Sequence, residues 1–96
     1  MITVLALHDR IQVSGHANTA PIGADIVCAA VSALTLTLLE GMKNLAHMEL
    51  YESVEPGNIC IEWQEMNDTG KVLVDTWLLG MRGIAAEYPV IEFLSK

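Results

Sequence analysis

The chain has 96 residues, of which 52% are hydrophobic and 18% charged, and its formal net charge is −7. This length supports one compact core, so we predict a single domain over residues 1–96. Phosphate binding needs clustered basic residues, and here five Lys and Arg face twelve acidic residues. Direct nucleic-acid binding is therefore not expected.

Cellular location is predicted from three features of the sequence. The N-terminus reaches charge by Asp9 without a basic stretch before its apolar residues, which is unlike a signal peptide. The longest apolar run, residues 26–39, contains a serine and two threonines and is typical of a buried helix. Two cysteines, Cys28 and Cys60, are too few for a disulfide framework. We therefore expect a cytoplasmic protein with reduced thiols and no membrane contact.

The first half of the chain predicts a hairpin followed by a helix. Residues 2–7 and 10–15 are rich in strand formers, and His8-Asp9 is a short connection between them. Residues 24–44 predict a helix in which Asp25 is the N-cap or a first-turn residue. The buried stripe of this helix is formed by Val27, Val31, Leu34 and Leu38.

The second half repeats the strand, strand, helix order and adds a last strand. The predicted elements are strands 47–53 and 59–65, a helix from 67 to 88, and a strand over 90–94. The turn residues 55–58 join the two strands, and Pro89 ends the helix. The order β-β-α-β-β-α-β predicts an α+β fold, a mostly antiparallel sheet with two helices packed on it.

One histidine and one cysteine stand at a spacing that favours thiol chemistry. His16 ends the second predicted strand, and Cys28 follows twelve residues later in the first turn of the predicted helix. A nucleophilic thiol needs a base for its proton and a positive local field for the thiolate. A strand-end histidine and a helix N-terminus would supply both, and Cys28 lies at the flank of the buried stripe rather than at its centre.

The same stretch resembles a known family. Gly15-His16-Ala17, a glycine-containing loop, and then the run from Gly23 to Thr35 (GADIVCAAVSALT) resemble the small bacterial ribosomal-processing cysteine proteases, the Prp or YsxB-like family. The motif covers residues 15–35, and the predicted order of elements in the rest of the chain also fits this family.

The resemblance implies a catalytic set of Cys28, His16 and Asp25. Cys28 would be the nucleophile, and His16 would accept its proton and later protonate the leaving amine. Asp25 would orient His16 or line the site, although capping of the helix explains it as well. The first-turn backbone N–H groups near Cys28 are candidates for an oxyanion hole.

A second group of residues is predicted to shape the substrate loop. It consists of Gly15, Ala17, Gly23 and Ser32. The two glycines bracket the loop as candidate hinges, although ordinary strand-end and helix-start roles explain them equally well. The family usually has a glycine midway through this loop, where the present chain has Ala20 followed by Pro21, so a stiffer loop is expected.

The resemblance also implies partners. Family members remove the N-terminal extension of a bacterial large-subunit ribosomal protein, and related phage or host enzymes trim capsid or scaffold proteins. A basic ribosomal tail would suit the net charge of −7. The excess of apolar residues and the resemblance both favour a homodimer. No cofactor and no metal are expected, because paired ligands at short spacing, as in C-x₂-C, are absent from the sequence.

Two other classes of function fit the residues. In the first, the chain is a non-catalytic, ribosome-associated binding module in which Cys28 only packs against its neighbours. In the second, it is another thiol enzyme, such as an acyl-transfer or redox protein, and Cys60 is then the resolving cysteine of a redox pair. A disulfide between the two cysteines would support the redox alternative.

Overall fold

The computed structural model describes residues 1–15 and 21–95, with the backbone alone for residues 21–25 and 95. Its elements follow the predicted order. They are β1 (Ile2–Ala6), β2 (Arg10–Gly15), α1 (Pro21–Asn44), β3 (Leu50–Glu55), β4 (Asn58–Trp63), α2 (Asp68–Glu87) and β5 (Ile91–Ser95). The α+β class and the order β-β-α-β-β-α-β are confirmed.

The five strands form one sheet in the order β3-β4-β2-β1-β5. Three neighbouring pairs are antiparallel and only β1 and β5 are parallel. Both helices therefore connect parallel strands, α1 between β2 and β3 and α2 between β4 and β5. The two crossovers start from oppositely directed strands and move in opposite directions across the sheet. Right-handed connections then place both helices on the same face.

One face of the sheet carries the core and the other face is left without a helix. Strand side chains alternate between faces, and the row Val4, Val13 and Ile59 is aligned across β1, β2 and β4. All three side chains are buried in a cluster shared with Val31 and Met81 of the helices. Arg10, Gln12 and the other intervening residues of the strands point to the opposite face.

The first helix begins earlier than predicted. It starts at Pro21 rather than residue 24, and proline is well suited to the first helical turn because its missing N–H has no partner there. The prediction that Asp25 caps the helix or lies in its first turn is therefore wrong. The predicted stripe packs as expected, and Thr35 joins it, accepting a hydrogen bond from Trp77 Nε1 at 3.1 Å.

The third strand begins later than predicted, at Leu50 rather than residue 47. The chain leaves α1 through a tight link, in which the N–H groups of Ala46 and Met48 donate to the carbonyls of Gly41 and Met42. His47, within this link, has a left-handed φ of 52°. Because the backbone of residues 46–48 makes these bonds at the end of the helix, the same backbone groups cannot pair with a strand of the sheet.

Within the described residues, one helical segment, Ile26–Asn44, is long and apolar enough to cross a membrane by length and composition. This is weak evidence, since the core helix of a soluble protein meets the same criterion. Several side chains of the segment, such as Val27, Leu38 and Met42, lie in the core.

Candidate active site

Cys28 lies half-buried beside a cleft of about 480 Å³ between α1 and the β3–β4 hairpin. Its neighbours one and two turns along α1, Ser32 and Leu36, line the same wall. The opposite wall is the hairpin, from Val54 to Ile59. The cleft is mainly apolar, because its floor is formed by core side chains such as Ile2, Val13 and Val31. A space of this size and lining suits a short peptide segment.

Gly15 closes one side of the cleft and ties two elements together. Its N–H donates to the carbonyl of Gly57, in the turn of the β3–β4 hairpin, at 2.9 Å. Its φ is +98°, and a Cβ at this position would collide with the main-chain carbonyl of Met1. Glycine is therefore required here by the fold itself, because other residues rarely adopt this conformation.

The structure brings together three of the seven predicted site residues, namely Cys28, Gly15 and Ser32, which all line the cleft. His16 and Ala17 lie outside the described residues. The backbone at Gly23 and Asp25 belongs to α1, and the side chain of Asp25 lies outside what is described. The predicted roles of all seven residues remain predictions.

The location of Cys28 along its helix differs from the prediction. Because α1 begins at Pro21, Cys28 lies about two turns inside the helix rather than in its first turn. The field of a helix N-terminus falls off within the first turn, so it contributes little at Cys28. Its N–H also lies in the helix interior, where the helical ladder uses such groups, and the predicted first-turn oxyanion hole at Cys28 is wrong.

The hairpin wall of the cleft is not predicted by local patterns in the sequence. The sequence predicts only a turn at residues 55–58 and indicates no role for Leu36. The register of β2 and β4 indicates this wall, because Ser14 pairs with Asn58 and so places the hairpin turn beside the end of β2. That pairing follows from the sheet order, which the sequence alone does not specify.

The second cysteine lies on the opposite face of the sheet. Cys60 alternates with the buried Ile59 and Ile61, so its thiol faces away from the helices, and it lies near the Glu62 carboxylate at 3.8 Å. Burial, and then the Glu62 charge, raise the pKa of Cys60, while Arg10 lowers it. Both thiols are free. The sheet lies between Cys60 and Cys28, so the redox alternative has no internal resolving cysteine.

Two further features of the described residues bear on ligand binding. A second cleft of about 600 Å³ lies at the far end of the hairpin, where it is lined by His47, Glu49, Tyr51 and Glu65 among others. It is the larger of the two, yet it holds neither cysteine. Within the described part of the chain, no group of three or more His, Cys, Asp or Glu side chains is arranged to hold a metal ion.

The two layers of the fold form a small α+β domain in which a free thiol lines an apolar cleft. The sequence profile of the family described as "Cysteine protease Prp" matches residues 1–91. The chain therefore belongs to the Prp family and is a cysteine protease, which confirms the resemblance stated above. No curated protein matches the chain.

Solved structures with the same fold include two of the essential ribosomal processing protease Prp from S. aureus. One, in complex with a covalently linked product peptide, is 25% identical with a TM-score of 0.89, and each chain is covered in full. The other, with a substrate peptide, is 24% identical with the same TM-score and full coverage of both chains. SMU.848 from Streptococcus mutans is 23% identical with a TM-score of 0.76, over 99% of this chain and 93% of that one.

Proposed function

We propose that this cysteine protease removes the N-terminal extension of a bacterial large-subunit ribosomal protein, using Cys28 as the nucleophile. The observation that carries the proposal is the position of Cys28, half-buried at the edge of an apolar cleft in a Prp-family fold. The S. aureus protease of the same fold is a ribosomal processing enzyme that binds substrate and product peptides. In this chain, the cleft beside Cys28 would hold the substrate residues that flank the scissile bond.

In the proposed mechanism, His16 accepts the proton of the Cys28 thiol, and the sulfur attacks the carbonyl carbon of the scissile bond. The tetrahedral intermediate collapses as His16 protonates the leaving amine, which leaves an acyl-enzyme. Water, deprotonated by His16, then attacks the thioester, and Cys28 is released as the thiol or thiolate. Support for His16 comes from Gly15, which precedes it in the chain and lines the same cleft as Cys28.

The early start of α1 changes how the thiol is activated in this proposal. With Cys28 about two turns into the helix, the helix N-terminus stabilises the thiolate little. Activation of the Cys28 thiol therefore depends mainly on His16, which Asp25 orients. Ser32, one turn after Cys28 on the same cleft wall, is proposed to contact the substrate rather than to take part in proton transfer.

Charge supports the choice of a basic substrate. The net charge of −7 favours the approach of a basic ribosomal protein, although it affects encounter more than specificity. A cytoplasmic location and a homodimer are part of the same proposal, the first because the substrate is made there and the second because of the apolar composition.

The test is cleavage of the extended ribosomal protein from the same organism, followed by mass spectrometry. We expect a single cut near the end of the extension by the wild-type enzyme, loss of the cut in Cys28→Ala, and retention of the cut in Cys60→Ala. Cys60 is a matched control because it is the other half-buried free thiol but lies on the opposite face of the sheet. Absence of any cut by the wild type would contradict the ribosomal substrate and direct the search to phage capsid or scaffold proteins.

A further inference from the structure

The edge of the sheet nearest the cleft has hydrogen-bonding groups that face away from the sheet. In the described residues, β3 is the outermost strand on this side and pairs only with β4. A two-residue turn, Pro56-Gly57, joins them, and Glu55 pairs with Asn58 across it. An edge strand of this kind is a template for an additional strand.

The register determines which backbone groups face outward. In an antiparallel hairpin with a two-residue turn, the residues that flank the turn form the first hydrogen-bonded pair, here Glu55 and Asn58. The pairs then alternate, so Ser53 also bonds to β4, whereas Val54 and Glu52 direct their N–H and C=O groups to the free edge. Leu50 follows the same alternation, so three residues of β3 offer three donors and three acceptors there.

The cleft beside Cys28 reaches the free edge of β3 at Val54. Val54 and the α1 residues Cys28 and Leu36 all line this cleft. Cys28 and Leu36 are about 12 Å apart along the helix axis, which corresponds to about four residues of extended chain. Beyond this length Lys43 bridges α1 and β3, with its Nζ 3.2 Å from a Glu52 carboxylate oxygen. The groove between Val54 and the Cys28–Leu36 side of α1 thus has room for a short extended segment, and the Lys43–Glu52 ion pair links α1 to β3 beyond it.

We propose that the substrate binds as a sixth strand, paired through its main chain with Val54 and Glu52 of β3, with its scissile bond directed to Cys28. The inference rests on the proposed function. Main-chain pairing supplies affinity without regard to sequence, and the apolar walls formed by Leu36 and Val54 select the side chain that enters the groove. The structure thus assigns β3 as the substrate-positioning element of this protease.

Charge favours a substrate peptide over a second copy of the chain as the occupant of this edge. β3 carries Glu52 and Glu55, and pairing two such strands would bring four carboxylates to one edge. A neutral or basic peptide meets no such repulsion, and the net charge of −7 favours its approach.

The test is a scan of the substrate with single backbone N-methyl groups. The probe is a synthetic peptide that spans the cut in the extended ribosomal protein, with one amide methylated in each member of the series. On the side of the cut that occupies the groove, methylation at alternate positions should lower kcat/KM about tenfold, the effect of one lost hydrogen bond. The intervening positions should change it less than about threefold. A series without alternation would overturn the strand-addition proposal.

The parent peptide separates the two proposals. If the wild type cuts the unmethylated peptide and the alternation is absent, only the binding mode is wrong. If the wild type does not cut the unmethylated peptide, the proposed function fails, and the binding mode that rests on it fails too.

A second test changes the enzyme. Val54→Pro removes the outward N–H of an edge strand, a position where proline is tolerated, and should raise KM about tenfold with little change in kcat. Val54→Thr keeps the N–H and the β-branched shape, so it loses only the contribution of the apolar side chain, and Val54→Pro should raise KM clearly more. Equal losses in both would assign the effect to the side chain and overturn main-chain pairing. Main-chain pairing with the substrate would also be overturned if Val54→Pro folds with an unchanged KM but loses a dimer in size-exclusion chromatography. If Val54→Pro does not fold, the methyl scan decides.

Discussion

The two cysteines of this chain have similar exposure but opposite surroundings. Cys28 lies on the helix-covered side of the sheet, at an apolar cleft between α1 and the β3–β4 hairpin. Cys60 lies on the open side, beside the Arg10–Glu62 ion pair, with a pKa raised by burial and by Glu62. A thiol that must attack at neutral pH needs a partner that favours the thiolate, and the surroundings of Cys60 act against it. Position relative to the sheet, more than burial, therefore separates Cys28, the proposed nucleophile, from Cys60.

The largest expected effect comes from removing the proposed partner of Cys28. His16→Ala should lower kcat/KM by about 10²–10⁴-fold, because general acid–base catalysis contributes on this scale. The measurement is the initial rate of cleavage of the extended ribosomal protein by mass spectrometry. The matched control is His8→Ala, since His8 is exposed in the β1–β2 turn and, among the described residues, bonds only through its main-chain carbonyl, which accepts from Trp63 Nε1 at 3.1 Å. Near-normal activity in His16→Ala would contradict the Cys–His pair.

The next largest effect is on stability and comes from replacing Gly15, the glycine that borders the Cys28 cleft. Gly15→Ala should lower the free energy of unfolding by about 2 kcal/mol or more, because the position has a positive φ and no room for a Cβ beside the Met1 carbonyl. Gly83 in α2 is the control, since a Cβ there meets no atom of the described residues within 4 Å. Gly83→Ala should raise stability by about 0.5–1 kcal/mol, as alanine does within a helix. Urea denaturation measures both, and an equal response would contradict the constraint at Gly15.

The fold was largely predictable from the sequence because periodicity and turn residues determine local structure. The alternation of Ile59, Ile61 and Trp63 in β4 marked the buried face correctly. The boundaries were less predictable, since they depend on tertiary bonds. The start of β3 moved to Leu50 because the backbone before it closes the end of α1, which no pattern in residues 47–49 indicates.

The candidate site was predictable only in the part that lies on one element. Cys28 and Ser32 are one helical turn apart, and the sequence placed them on a common flank. The opposite wall at Val54 depends on the order of strands in the sheet and on how α1 crosses it. Those are long-range pairings, which local sequence patterns do not encode.

A smaller effect concerns the packing of the helix that carries Cys28. Thr35→Val should lower stability by about 1–3 kcal/mol, because the buried indole N–H of Trp77 loses its acceptor. Thr37→Val is the control on the same helix, since Thr37 is exposed and its hydroxyl donates only to the Ala33 carbonyl. It should change stability by less than about 0.5 kcal/mol. Urea denaturation would contradict the role of Thr35 if the two variants lost the same amount.

The smallest expected effect is on the alkylation rate of Cys60, on the face of the sheet without helices, and it depends on the charges around this thiol. In a Cys28→Ala background Cys60 is the single remaining thiol, and its alkylation by iodoacetamide follows the thiolate fraction. Because the pKa of Cys60 is raised, its rate should keep increasing with pH beyond the point where a free cysteine levels off. Glu62→Gln removes a charge that raises the pKa and should speed alkylation at pH 8 a few-fold. Arg10→Gln removes a charge that lowers the pKa and should slow it. If both variants shifted the rate in the same direction, solvent access rather than charge would control the reactivity of Cys60.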